Sequence, residues 1–166
     1  MRLFLCEKPS QAKSLAGVLG ARTRDNGCWR GDGVVVTYAI GHLLQQVMPE
    51  DYDPKYKSWS LDILPCVPHT WRSDPNPRTI DQYKIVRSLL SQSRDVVIAT
   101  DADREGEVIA REMLDDARWQ GKLSRLWVSD STDAGIRKGL SNLKSGDVHA
   151  PLYQAGLGRM RADWLA

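Results

Sequence analysis

Two short apolar runs set the pattern of the chain. "RLFLC" at Arg2–Cys6 and "DVVIAT" at residues 95–100 carry apolar residues at consecutive rather than alternate positions, as strands buried on both faces do. Helical spacing follows each. After the first, Ala12, Leu15, Ala16 and Leu19 recur on one helical face, with Pro9 suited to the first turn and Gly20 to the end. After the second comes "REGEVIAREMLDDARW", again helical. "GVVVTYAIGHLL" (residues 33–44) contains a β-rich run. "TIDQYKIVRSLLSQ" places Ile80, Tyr83, Ile85, Val86, Leu89 and Leu90 on an amphipathic helix. "RLWVS" predicts a further strand, and "STDAGIRKGLSNL" a further helix with Ser131 or Thr132 as its cap. Between Pro49 and Pro77 lie six of the eight prolines, with Trp59 and Trp71. That stretch reads as an irregular excursion packed on the domain, because it is too aromatic for a linker.

Strands alternating with helices predict an α/β fold, a mainly parallel sheet with helices on both faces. Ligands of such sheets bind beyond the carboxyl ends of the strands. Two polar clusters fall there: Glu7 and Lys8 after the first strand, and "DADREGE" after the later one.

Composition narrows the class. The 166 residues suffice for one ordinary domain with a real core, and 42% hydrophobic with 27% charged residues is a globular mixture. A formal charge of +2 sets up no strong basic field, so any nucleic-acid contact must come from local patches. Cys6, Cys28 and Cys66 lie far apart with no CxxC pair, which argues against a zinc site or a disulfide framework and fits a reducing compartment. No signal peptide and no apolar run of membrane length is present, so the sequence reads as cytosolic. It stops inside an apparent helix with apolar residues to the last position, which leads us to expect part of a longer protein.

The chemistry concentrates in the acids. Asp101, Asp103, Glu105 and Glu107 occupy every second position. In an extended strand end, residues two apart point the same way, so Asp101 and Asp103 can aim at one point, with Glu105 joining as the helix begins. Clustered carboxylates need either a raised pKa or a cation. Mg²⁺ takes one or two carboxylates together with water and substrate phosphate, and Arg104 can offer a fork to a phosphate oxygen. Acids in a first helical turn are also favoured by the helix dipole, and Thr100 with Asp103 matches a capping box. Spacing alone leaves capping and metal binding both open. Glu7 and Lys8 similarly form either a solvated turn or, facing the acids across the sheet end, part of a site for phosphodiester chemistry.

Five ordered blocks carry a resemblance: "EKPSQAKSLAGVLG", "IGHLLQ", "YKSWSLDILPCVP", "DADREGE" and "GRMRADWL". Together they resemble the Toprim domain of type IA DNA topoisomerases, most closely the bacterial topoisomerase III branch. The resemblance implies a Rossmann-like Toprim fold over residues 1–150, with 151–166 starting a following helical domain. It also implies Mg²⁺ dependence and passage of one DNA strand through a transient break in another. In that family the residue matching Glu7 acts as general acid or base and can contact metal. Those matching Asp101 and Asp103 hold Mg²⁺, with Glu105 nearby, and those matching Lys8 and Arg104 steady the scissile phosphate. An acid role for Glu7 conflicts with a neighbouring lysine and metal, both of which lower its pKa.

The family's nucleophile is a tyrosine in a later domain. None of Tyr38, Tyr52, Tyr56, Tyr83 and Tyr153 sits in a motif like YxRTD, so the sequence carries no nucleophile and the isolated chain is expected not to cleave DNA. Expected partners are DNA, in single-stranded segments, and C-terminal domains of the same polypeptide, in a nucleoid-associated cytoplasmic protein without membrane attachment. Trp59 and Trp164 are candidates for stacking on unpaired bases, or for core and interface packing; Arg159 and Arg161 are candidates for a strand path, or for surface charge. His42 is a weaker candidate. Two other functions remain: a self-contained Toprim nuclease or primase-like enzyme using the same acids, and a metal-free structural domain in which they only cap helices.

Overall fold

The computed structural model describes residues 1–58 and 60–166; the candidate Trp59 lies outside the described residues. In chain order the regular elements are β1 (Arg2–Cys6), α1 (Pro9–Leu19), β2 (Thr23–Asp25), β3 (Cys28–Arg30), β4 (Val34–Tyr38), β5 (Leu44–Gln46), α2 (Pro49–Tyr52), β6 (Ser73–Pro75), α3 (Ile80–Ser91), β7 (Asp95–Ala99), α4 (Arg104–Asp116), β8 (Lys122–Arg125), α5 (Asp133–Ser141), β9 (Lys144–Ser145) and α6 (Ala150–Leu165). Seven strands form one sheet in the order β2-β3-β4-β1-β7-β8-β9. The four central strands run parallel, while the β2–β3 hairpin and β9 add antiparallel edges.

Strand pleating divides the core into two layers. Leu3 and Leu5 of β1, with Val96 and Ile98 of β7, meet Val86 and Leu90 of α3 and Ile109 and Met113 of α4. Phe4, Cys6, Val97 and Ala99 point to the other face, against Ala12, Leu15 and Ala16 of α1 and Ile136 of α5. Helices therefore cover both faces, as the consecutive apolar runs predict. The proline-rich excursion contributes α2, short 3-10 turns and β6, which pairs antiparallel with β5.

Two details depart from the sequence reading. The strand expected at "RLWVS" lies three residues earlier. Lys122 pairs with Asp95 near the sheet's edge, where polar side chains reach solvent, and after Leu126 bonds Ile98 the chain leaves the ladder. The helix after β7 is capped by Asp103, not Thr100. The Asp103 Oδ1 accepts from the Gly106 amide at 2.7 Å, and the Thr100 hydroxyl donates to the Gly106 carbonyl instead.

From β1 the chain builds to one side through β4, then crosses to the other at β7. The crevice between the carboxyl ends of β1 and β7 is thus a topological switch point, the usual place for a ligand on an open α/β sheet. Helix α6 lies against α4. Tyr153 donates to Asp115 at 2.5 Å, and Gly156 allows a helix approach so close that an added Cβ would collide with Val108. Gly156→Leu should therefore lower unfolding free energy by about 1–3 kcal/mol through overpacking. Urea denaturation checks this, and unchanged stability would mean that α6 is not held against α4.

Candidate active site

The site is assembled by the carboxyl ends of β1 and β7 and the first turns of α1 and α4. Glu7 follows β1 directly and is 8% exposed. Its Oε2 accepts from the Asp101 amide at 3.3 Å, across the switch point. The Lys8 ammonium stands between two carboxylates, 2.8 Å from Asp101 Oδ2 and 3.6 Å from Glu7 Oε1. Gln11 organises both sides. Its Oε1 accepts from the Glu7 and Lys8 amides at 3.0 and 3.2 Å, and its Nε2 donates to Asp101 Oδ1. Sequence reading does not single out Gln11, although its place one turn into a helix after the Glu-Lys pair marks it as a side chain able to reach back to the strand end.

Electrostatics follows from this packing. Burial pushes the Glu7 carboxyl above its ordinary value, and the nearby charge of Asp101 adds to the rise, against the smaller lowering effects of the hydrogen bond from the Asp101 amide and of the Lys8 charge. In the protein alone, burial by the domain itself works against the lowering influence of Lys8 on this carboxyl. The hydrogen bond to Asp101 raises the Lys8 pKa, keeping the ammonium charged.

Asp103 caps α4 with Oδ1, so the capping reading holds for one of its oxygens. Arg104 and Glu105 are exposed in the first turn of α4. With His42, Val108, Gly156, Arg159 and Met160 they line a pocket of about 240 Å³ between α4 and α6. Three sequence candidates, Arg104, Glu105 and Arg159, thus meet beside His42. Arg159 also pairs with Asp163 at 3.0 Å. Arg161 and Trp164 lie elsewhere: the Arg161 guanidinium covers the Trp71 ring, while Trp164 packs edge-on against Tyr52 and Trp71 and donates to the Val47 carbonyl at 3.0 Å. That contact is the packing alternative for Trp164.

Glu107, the fourth acid of the run, belongs to the interior. It is 0% exposed and accepts from Arg125 Nε at 2.5 Å and Arg111 Nε at 2.8 Å. The fully buried Arg125 also donates to the carbonyls of Thr100 at 2.9 Å and Asp101 at 2.6 Å, fixing the backbone on which the outer acids stand. Gly106 is required by the same close packing, since a Cβ there would strike the Asp101 carbonyl. The signal for Glu107 was present in its i,i+4 spacing to Arg111 on the buried side of the helix.

Among the described residues no three acid, imidazole or thiol groups form a ready-made metal cage. What exists is an open set of hard oxygen donors with a cation, Lys8, already clasped between two of them. That chemistry fits Mg²⁺, which keeps waters and completes its shell with substrate phosphate. Tyr83 and Tyr153 donate to Asp116 and Asp115, and burial raises both phenol pKa values.

A family model described as Toprim domain matches residues 2–130. DNA topoisomerase 3 of Staphylococcus epidermidis is 40% identical over 165 residues, 98% of this chain and 23% of that protein. DNA topoisomerase 3 of Staphylococcus saprophyticus is 38% identical over the same length. The chain thus spans 23% of the length of these relatives. Full-length topoisomerase I from Thermotoga maritima superposes with a TM-score of 0.65 at 20% identity, over 98% of this chain and 24% of that one, a likeness of fold. Among the described residues, no helix is long and apolar enough to cross a membrane.

Two measurements check the site's framework. Glu107→Ala leaves Arg125 buried without its carboxylate and should cost about 3–5 kcal/mol in denaturant unfolding; a loss below about 1 kcal/mol would refute the network's importance. His42 Nδ1 lies 3.0 Å from Glu112, and that hydrogen bond raises the imidazole pKa. The pair's stabilisation is full below the unfolded value of about 6.5 and lost as pH rises through the raised folded value. NMR titration should place His42 above that ordinary value, with Glu112→Gln bringing it down; no change on substitution would count against the pairing.

Proposed function

The chain belongs to the Toprim domain family, and from that premise we propose that it supplies the acidic half of the active site of a type IA DNA topoisomerase of the topoisomerase III kind. Such an enzyme cleaves and rejoins one DNA strand to relax or decatenate DNA, and the tyrosine nucleophile comes from another part of the polypeptide. The observation that carries this reading is the Lys8 ammonium between Glu7 and Asp101 at the switch point. Relatives named DNA topoisomerase 3, 38–40% identical over nearly the whole chain, support it.

Glu7, Asp101, Asp103 and Glu105 would hold Mg²⁺. When bound, the ion supplies Lewis-acid stabilisation of charge on the scissile phosphate. Glu7, whose carboxyl burial raises above its ordinary value in the chain without metal, is the group that would give a proton to a leaving 3′ oxygen and take it back on rejoining. Lys8 stays charged and neutralises a phosphate oxygen, while Gln11 keeps Asp101 oriented. Arg104 offers its fork to the same phosphate or the next one. The pocket that Arg104 and Arg159 line between α4 and α6 would take part of a single strand, with Trp59, Arg161 and Trp164 as further candidates for DNA contact. The setting is the cytoplasm, at the nucleoid.

The decisive test incubates the purified chain with end-labelled single-stranded DNA and supercoiled plasmid, with Mg²⁺ or EDTA. Intact DNA in both conditions is expected. Mg²⁺-dependent cutting that disappears in Asp101→Asn would replace this reading with a self-contained nuclease. Mg²⁺ binding by calorimetry should be lost in Asp101→Asn/Asp103→Asn, while stability is largely kept because Asn caps helices as well as Asp does. Binding that survives both substitutions would defeat the metal assignment.

A further inference from the structure

The end of the sheet opposite the acids carries a second concentration of charge. Where α4 ends and β8 begins, Ser91, Ser93, Arg94, Arg118, Trp119 and Gln120 line a pocket of about 360 Å³. No carboxylate lines it. The acids nearest in sequence lie outside its lining: Asp95 pairs with Arg2 through Oδ2 and leaves a buried Oδ1 without a partner, Asp115 meets Tyr153, and Asp116 meets Tyr83 and Arg87. Arg94 and Arg118 are exposed, and neither makes an ion pair among the described residues. Lys122 starts the adjoining strand, its amide bonded to the Arg94 carbonyl.

The backbone adds a second observation. Arg118 has φ 48°, the only non-glycine residue at positive φ among the described residues. It sits one residue past the helix cap, where the chain reverses through bonds from Arg118 to Asp115 and from Trp119 to Leu114. Glycine is the residue such a position favours, so the arginine is held there at a conformational cost. A cation near a helix C-terminus gains something from the dipole. Lysine or arginine one turn earlier would gain the same without strain. The strained position instead brings a second arginine to the pocket that Arg94 lines, together with Trp119, whose ring nitrogen is fixed on the Ser93 carbonyl at 2.8 Å.

We infer that this pocket binds the phosphate backbone of DNA, with Arg94 and Arg118 as its phosphate ligands and Trp119 as an apolar wall for a sugar or base. The inference rests on the DNA-directed reading above but uses none of the acidic site. β7 separates the two sites by about 15 Å, so the segment held here is not the one beside Glu7 and Asp101. Two arginines in a lining that holds no carboxylate suit a phosphate.

The experiment measures fluorescence anisotropy of a labelled single-stranded oligonucleotide with the whole chain in EDTA, which leaves the acidic site without a divalent ion. Arg118→Gly should keep or raise the thermal midpoint, since it removes the left-handed strain, and yet weaken DNA binding. The double variant Arg94→Ala/Arg118→Gly should flatten the dependence of log K on log salt by about 0.7 for each phosphate that is no longer neutralised. Between about 50 and 200 mM salt the unaltered chain would then lose about sevenfold more affinity than the double variant. An unchanged slope overturns the site while leaving the DNA-cleavage reading to its own test. Absence of DNA binding by the unaltered chain at low salt overturns it as well. If inorganic phosphate or ATP shifts the Trp119 indole resonance and DNA does not, the pocket takes small phosphates and the backbone assignment fails.

Discussion

The interaction on which the rest of the molecule depends is the buried pairing of Glu107 with Arg125 and Arg111. Removing such charges from water costs several kcal/mol per ion, and the pair offsets this only because nearly every donor and acceptor is used. Glu107 accepts on both oxygens, and Arg125 donates to the carbonyls of Ile98, Thr100, Asp101 and Leu126. Those carbonyls belong to the ends of two adjacent strands, where the ladder stops; that of Ile98 also accepts from the Leu126 amide, while those of Thr100 and Asp101 lie beyond the last ladder bond. Apolar side chains of equal volume would pack there at lower cost, but would leave the Thr100–Asp101 turn without donors. The network is therefore the device that lets β7 end abruptly and turn into α4 with its acids facing outward.

That turn determines the chemistry at the surface. Because Arg125 holds the Asp101 carbonyl from inside, the Asp101 side chain is free to meet Gln11 and Lys8 outside. The parallel neighbour β1 brings Glu7 to the same height, its carboxylate accepting from the Asp101 amide. Two strands distant in sequence are thus tied once through the sheet, once through Glu7 and once through Lys8. A lysine between carboxylates stabilises them in the absence of other cations and marks where positive charge is wanted.

Sequence and structure agree best where burial on both faces leaves little ambiguity. β1 is legible to the residue from "RLFLC", and α1, α3 and α4 from their apolar spacing. The hairpin β2–β3 and strand β9 were not, because short polar strands such as "TRD" carry no periodicity and exist only by pairing with a neighbour. The meeting of Glu7, Lys8 and Asp101 was legible, because they stand out as charges directly after apolar strands. Its supports were not. Gln11 and Arg125 are ordinary residues in their local sequence, and only the fold shows that one pins Asp101 and the other its backbone. Glu107 reads as part of an acidic run, although its helical spacing to Arg111 separates it from the others.

The charge distribution also bears on how an acidic site can serve a polyanion at all. A cluster of carboxylates repels DNA, so affinity must be supplied by cations placed around and away from it. A formal charge of +2 says nothing of where the separate cations stand. Lys8, Arg104 and Arg159 surround the acids at the carboxyl end of the sheet, while Arg94, Arg118 and Lys122 gather at the amino end without carboxylate partners among the described residues. Arg118 retains its side chain in a backbone conformation that favours glycine, which folding alone does not require. The placement makes physical sense if the acids act on the phosphate while the opposite end contributes binding that their own charge forfeits.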